Sequence, residues 1–308
     1  MKKKILIYNS GGGVGDSIRL FPLILGLQNF FKESEILYLG AHENHFVNKL
    51  KEYNVQVESL NINLKYFGFR WWHFFITKKL ILQNNIDKFD YVLDLQSKFR
   101  NTIVLKQIPT KYFYSSTFNS FFCTNNNLKS FLTNGFEYKK YNIKKIHEKF
   151  FNEASRLLPG KNYIGLSITQ GNTYRKKSWP LKNFINLANE LSRRGKKIVF
   201  FVEKSNLEII NTIKEKLPNA LFPELESDLS SPALVTALAS KLEKAITIDN
   251  GVMHMLALAD VPMISLFGPT SSKKFAPNIS QNDILDSKFL YNSKDISKIT
   301  IQDVLNLI

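Results

Sequence analysis

Apolar residues in this chain fall into short runs divided by polar turns, and two periods alternate along it. Lys4-Ile5-Leu6-Ile7-Tyr8 is a run suited to a strand buried on both faces. A turn with four glycines in five positions, Gly11 to Gly15, follows it. Ile18, Phe21 and Leu25 then recur at helical spacing, which predicts one helix through about Phe31 capped by Asp16 or Ser17. Glu35–Gly40 predicts the next strand, Tyr91–Leu95 a later one beyond a long aromatic stretch, and Lys111–Tyr114 another. Strands alternating with helices imply a doubly wound parallel sheet.

Residues 115–160 break this rhythm. Ser115-Ser116-Thr117, Asn125-Asn126-Asn127 and the charged run Lys139–Lys149 predict loops, then a helix that runs into Pro159-Gly160. The expected boundary divides two domains, 1–158 and 159–308. A second α/β unit starts there, with strands at Tyr163–Ile168, Lys197–Val202, Ala245–Ile248 and Pro262–Phe267. Its helices are expected at Leu181–Arg194, introduced by Pro180 and closed by Gly195, near Leu207–Leu217, and at Pro232–Leu242 and Val252–Ala259. A last helix, Ile301–Ile308, has no partner in the pattern and is free to pack back on the first domain. No short-period repeat is visible, only two successive α/β halves.

Composition narrows the setting. The 308 residues suit two domains, and 44% hydrophobic content supplies their cores. Only four apolar residues follow Met1-Lys2-Lys3-Lys4 before Asn9-Ser10, unlike a secretory signal, and no apolar stretch approaches the roughly 20 residues that span a bilayer. A lone cysteine, Cys123, excludes an internal disulfide, so a cytoplasmic chain is expected. The net charge is +16, and it is uneven: residues 1–150 carry 22 bases against 11 acids, residues 151–308 carry 20 against 15. Such a field attracts phosphorylated substrates, anionic lipid or nucleic acid, or simply reflects solvated lysines.

Three turns at strand ends carry candidate chemistry, because ligands of open parallel sheets bind beyond the strands' carboxyl ends. In Ser10-Gly11-Gly12-Gly13-Val14-Gly15-Asp16, the glycines let a ligand approach the backbone. A third glycine of the dinucleotide fingerprint is missing at Asp16, no acid ends the second strand, and the Lys-Ser/Thr of a P-loop is absent. Asp16 is thus either a base or a helix cap. Thr169-Gln170-Gly171-Asn172-Thr173-Tyr174-Arg175-Lys176-Lys177 sets small polar residues beside three cations before Pro180, suited to a pyrophosphate or to plain solvation. Ile248-Asp249-Asn250-Gly251-Val252-Met253-His254 ends a strand in Asp and opens a helix with Gly and His, so its amides and His254 are candidate phosphate donors.

Asp249-Asn250-Gly251-x-x-His254, Leu266-Phe267-Gly268-Pro269-Thr270 and Ala276-Pro277 together resemble the heptosyltransferase family, glycosyltransferase family 9. Gly15-Asp16 followed by Pro22, Asp94-Leu95-Gln96 and Lys177-Ser178-Trp179-Pro180 fit the same family in the same order. The resemblance implies the GT-B architecture, two Rossmann-like doubly wound α/β domains facing across a cleft, the first for acceptor and the second for donor. It further implies inverting transfer of heptose from ADP-heptose to the lipopolysaccharide core, with a lipid-linked, phosphorylated glycan as acceptor. Asp16 would be the general base and Lys177 would contact donor phosphate. Asp249 would face the sugar, Gly251 with Asn250 the pyrophosphate, and His254 would support that turn. Gly13, Gly15, Thr169, Arg175 and Glu203 complete the expected binding set.

No cofactor beyond the donor and no metal is expected, since cations and helix amides can stabilise departing diphosphate and no Asp-x-Asp pair is present. His42-Glu43-Asn44-His45 has the spacing of two ligands on a helix but lacks partners, and reads as a surface helix. Two departures from the family pattern stand out: Asn250 replaces a usual Thr or Ser, and Val202-Glu203-Lys204-Ser205 lacks the glycines of the turn that holds the donor's ribose. A family member with another nucleotide sugar, or an inactive one, is the main alternative. A nicotinamide oxidoreductase fails on the missing third glycine, and a nucleic-acid module lacks any reader motif. Lys65–Lys79 packs seven aromatics between cations, predicting either core aromatics or a surface at an anionic inner leaflet, with peripheral attachment to the inner face of the bacterial inner membrane.

Overall fold

A computed structural model of the chain describes residues 2–40, 42–96, 98–116, 131–132, 135–171 and 173–308. Cys123, Asn125–Asn127, Thr117 and Asn172 lie outside the described residues. The chain divides into two compact units, Met1–Tyr141 and Asn142–Ile308.

In the first unit, strands β1 (Lys3–Asn9), β2 (Ser34–Gly40), β3 (Glu58–Ser59), β4 (Phe89–Asp94) and β5 (Thr110–Ser115) form one parallel sheet in the order β3-β2-β1-β4-β5. The apolar run of β1 earns its central place: Ile5, Leu6, Ile7 and Tyr8 are wholly buried. The single helix expected after the glycine turn is two, α1 (Val14–Ile18) and α2 (Phe21–Phe30). Pro22 sits in the first turn of α2, where its missing N–H costs nothing, so the chain restarts there. Helices α3 (His73–Gln83) and α4 (Phe99–Leu105) precede and follow β4. The edge strand β3 escapes a pattern reading because it is two residues long and both are exposed.

The second unit has β6 (Tyr163–Ser167), β7 (Lys197–Phe201), β8 (Leu242–Ile248), β9 (Met263–Phe267) and β10 (Asn282–Asp286), all parallel, in the order β10-β9-β8-β6-β7. Around it run α5 (Glu148–Leu157), α6 (Leu181–Arg193), α7 (Leu207–Lys216), α8 (Pro232–Ala239), α9 (Gly251–Leu258), α10 (Ser272–Phe275), α11 (Ser287–Tyr291) and α12 (Ile301–Leu305). β10 was not expected, because its sequence is mostly polar and only its last two residues are buried.

Two boundary expectations are corrected. The units divide before α5 and not at 158, because α5 belongs to the second unit: it packs on α8, Ser227 Oγ donates to Glu153 Oε1 at 2.5 Å, and Arg156 donates to the Glu226 carbonyl at 2.9 Å. The last helix, α12, stays in the second unit as well. It packs on α6, and Ile301 and Leu305 lie against a core that includes Ile164, Phe184, Ile246 and Trp179.

Candidate active site

Both sheets have a switch point, where neighbouring strands send their following segments in opposite directions and a crevice opens beyond the carboxyl ends. In the first sheet it lies between β1 and β4. Asn9 Oδ1 accepts from Gly11 N at 3.1 Å and from Gln96 Nε2 at 2.8 Å, and Ser10 Oγ donates to Gln96 Oε1. Asp94, which ends β4, is buried and accepts from Thr102 Oγ1 and Ser115 Oγ at 2.5 Å each and from Gln96 N at 3.0 Å. Burial pushes its carboxyl above the usual range, against the pull of those three donors. Asp94 is therefore a frame for the crevice, and Gln96 its inner wall.

Asp16 sits in the first turn of α1 and its Oδ2 accepts from Gly13 N at 3.2 Å. Capping and availability coexist, since the side chain is 37% exposed and Arg19 stands 3.9 Å from its other oxygen. The glycines have a steric reason: a Cβ on Gly11 would stand 2.7 Å from the Asp16 side chain, and one on Gly12 would stand 2.5 Å from the ring of His42. Gly15 is buried inside α1. The expected surface helix at His42–His45 is not there. These residues form turns against the glycine loop, with His45 buried and its Nε2–H donating to the Gly12 carbonyl at 3.1 Å. Among the described residues no cluster of three metal-ligating side chains occurs. A cavity of about 490 Å³ opens beyond β2, lined by Tyr38, His42, Asn44, Ser59, Lys65 and Tyr66 among others. Burial and the Asp16 charge both raise the Tyr38 hydroxyl.

In the second sheet the switch point lies between β6 and β8, where the other two turns meet. Lys177 Nζ donates to the Asp249 carbonyl at 2.7 Å and to its carboxylate Oδ2 at 3.1 Å. The two side chains are only 15% and 8% exposed, so the pair is largely shielded from water. Gln170 Oε1 accepts from Lys177 N at 2.6 Å, and Trp179, buried two residues on, donates from Nε1 to the Ile299 carbonyl at 2.8 Å. The Lys177 segment is thus pinned at both ends. Gly251 opens α9, while His254 is buried one turn in. Arg175 is exposed on a short 3-10 turn, and Glu203 is exposed after β7.

Asn250 accounts for its own departure. Its Oδ1 accepts from Met253 N at 2.9 Å, capping α9, while its Nδ2 donates to Ser167 Oγ at 2.7 Å and to the Thr169 carbonyl at 2.8 Å. A hydroxyl can cap, but the amide has two further N–H donors on a longer arm, and both are used to staple β8 to the end of β6. Asn250→Ala should cost about 3 kcal/mol in urea unfolding, a lost cap plus buried groups left without a donor. Asn250→Thr should recover about 1 kcal/mol of that, the cap alone.

Beside this turn a cavity of about 260 Å³ is lined by Ile168, Thr169, Gln170, Trp179, Leu181 and Asn206, among others. The Thr270 hydroxyl, buried after β9, has no hydrogen-bond partner among the described residues. The sequence reading singled out neither Gln170, Ser167 nor Gln96 as site residues; their signal was position, each being polar at or just beyond a parallel strand's carboxyl end.

The sequence model of glycosyltransferase family 9 (heptosyltransferase) matches residues 82–303, well over half of the chain. The chain belongs to glycosyltransferase family 9. Among curated family 9 relatives, lipooligosaccharide heptosyltransferase 2 of Campylobacter jejuni is 22% identical over 277 residues, covering 87% of this chain and 82% of that protein. Among solved structures, a family 9 glycosyl transferase from Veillonella parvula superposes with TM-score 0.68 at 20% identity, covering 99% of this chain and 96% of the other. ADP-heptose lps heptosyltransferase II of E. coli superposes with TM-score 0.65 at 17% identity, covering 99% and 97%. The family 9 fold, two parallel-sheet α/β domains of GT-B type, is the fold seen here. Among the described residues of this family 9 chain, no helix is long and apolar enough to cross a membrane.

Proposed function

We propose that this family 9 chain is an inverting, metal-independent sugar transferase that moves heptose from ADP-heptose onto a lipopolysaccharide-type core. The observation that carries the reading is the shielded Lys177–Asp249 pair at the switch point of the second sheet, beside the capped start of α9. A diphosphate there would meet the Lys177 ammonium and the first backbone amides of α9 at Gly251, both suited to negative charge developing on a leaving group. Asp249 faces the sugar in this reading, His254 and Asn250 hold the turn, and Arg175 and Thr169 close on the phosphates. The unpartnered Thr270 hydroxyl is a ready donor. The 260 Å³ cavity suits the nucleoside, with Glu203 toward the ribose.

The first unit supplies the acceptor side. Asp16 takes the proton of the acceptor hydroxyl as that oxygen bonds to the anomeric carbon, whose bond to the diphosphate oxygen breaks with inversion. Gly13 and Gly15 keep the turn low enough for the acceptor to reach it. The acceptor is a lipid-linked, phosphorylated glycan, and the excess of bases over acids in residues 1–150 favours both its phosphates and an anionic membrane surface on the cytoplasmic side.

A second reading, transfer from a different nucleotide sugar, is favoured by one observation. The loop after β7 lacks glycine, Glu203 is exposed, and Lys204 donates to the Ser227 carbonyl at 3.1 Å. Calorimetric titration with ADP, UDP, GDP and CDP without added metal tests both. Selective ADP binding supports the first reading, a preference for another nucleotide supports the second, and no binding at all contradicts both.

The same loop predicts a pH effect. Burial, then the neighbouring Glu203 carboxylate, push Glu224 up from 4.5 to about 7, with Lys204 opposing. The native state then holds this proton more tightly than the unfolded chain, so its stability should fall as pH rises from about 4.5 to about 7. Glu224→Gln should remove that fall and raise Tm at pH 8 by about 3 °C, as thermal unfolding across pH will show.

A further inference from the structure

Phe67 and Phe74 of the aromatic stretch before and along α3 join the core, but Trp71, Trp72 and Phe75 are absorbed neither by it nor by the candidate active site. Phe75, Lys78, Lys79 and Leu82 recur at three- and four-residue spacing and form one stripe about 100° wide on α3. Its opposite side, His73, Thr77 and Ile81, is buried. Phe75 is 78% exposed and Leu82 70%, and Trp71 and Trp72, just before the helix, are each more than half exposed.

This face is held rigidly. Tyr8 Oη donates to the Phe67 carbonyl at 2.7 Å, Arg100 Nε donates to the Gly68 carbonyl at 3.2 Å, and Gly68 N donates to His73 Nδ1 at 3.1 Å. Gly68 has φ +83°, and a Cβ there would stand 2.7 Å from the Tyr8 hydroxyl, so the bend before the two tryptophans requires glycine. A central strand of the sheet therefore anchors the loop that presents the tryptophans to solvent.

Charge decides what the face meets. No acid occurs between Glu58 and Asp87, while Arg70, Lys78 and Lys79 are exposed there, with no ion pair to any of the three among the described residues. A second copy of the chain would bring the same cations opposite, at net charge +16, and repel. Exposed Trp and Phe with flanking Lys match the boundary of an anionic bilayer, where rings enter the headgroup level and amines stay at the phosphates. We propose that the Trp71–Leu82 face of the first unit is a membrane-docking surface for anionic lipid. The inference rests on this face and not on the transferase reading.

The chain carries its own reporter, since Trp71 and Trp72 are exposed and the third tryptophan, Trp179, is buried. With phosphatidylglycerol vesicles, the full chain is expected to co-sediment and its emission to shift to the blue, with neither effect on phosphatidylcholine vesicles. Lys78→Glu with Lys79→Glu should weaken vesicle binding at least about thirtyfold, from roughly a fivefold loss per cation near the surface. Phe75→Ser with Leu82→Ser should weaken it too, and because all four side chains are exposed the circular dichroism of both variants should match the parent. Transfer to an acceptor lacking its acyl chains should be unaffected, which separates this surface from the active site. Equal vesicle binding by parent and both double variants would overturn the proposal. So would displacement from vesicles by RNA at matched phosphate, or a face-dependent self-association in sedimentation velocity.

Discussion

Asp16→Asn is expected to lower kcat by about 10²- to 10⁴-fold, the usual worth of a general base, while donor affinity stays within about twofold. The substitution is chosen for what it preserves. An asparagine oxygen can still accept from Gly13 N, as Asp16 Oδ2 does at 3.2 Å, so α1 keeps its cap. If Asp16 were only a cap, the asparagine variant would retain near-parental turnover. If donor affinity collapsed with kcat, the division of labour between the two sheets would be wrong. Steady-state kinetics with a separate donor titration distinguish the three outcomes.

Lys177→Ala should have two separable effects. Removing the ammonium leaves the Asp249 carboxylate, 8% exposed, without its cation, at a cost of about 3 kcal/mol in unfolding free energy. It should also weaken nucleoside diphosphate binding by about 10- to 100-fold, the worth of one charge-assisted hydrogen bond to phosphate. Lys177→Ala combined with Asp249→Asn removes both charges and should restore most of the stability without restoring affinity. Recovery of affinity in the double variant would make the pair a structural ion pair and nothing more.

How far the sequence could be read varies element by element. The central strand β1 was plain because burial on both faces demands a continuous apolar run, as in Ile5–Tyr8. Of the four edge strands β5 and β7 were read and two were not: β3 is two exposed residues, and β10 is mostly polar with only its last two residues buried. The helix after the glycine turn was read through because Ile18, Phe21 and Leu25 keep helical spacing across a restart that Pro22 alone marks. The division at Tyr141 was missed because helical spacing does not say which sheet a helix joins: α5 buries Phe150 and Ala154, packs on α8, and adds polar contacts of Glu153 and Arg156 with residues 226–227.

At the site, the resemblance to family 9 brought Lys177, Asp249 and Asn250 into one reading where residue types alone left each turn open, and the structure puts these three at one switch point. Spacing could not give the reach of Asn250 to Ser167, nor show that His45 braces the Gly12 carbonyl, because both depend on which strands are neighbours. His42 and His45 looked like a helical pair for the same reason: three-residue spacing says nothing about the turn that carries it.

The most direct measurement is transfer itself. The full chain is incubated with ADP-heptose and a deacylated core acceptor, without added metal, and the product is read by mass spectrometry and its anomeric configuration by NMR. One added heptose with inverted configuration, abolished in Asp16→Asn and reduced in Lys177→Ala, is the predicted result. Retained configuration, or transfer that survives Asp16→Asn undiminished, would contradict the account.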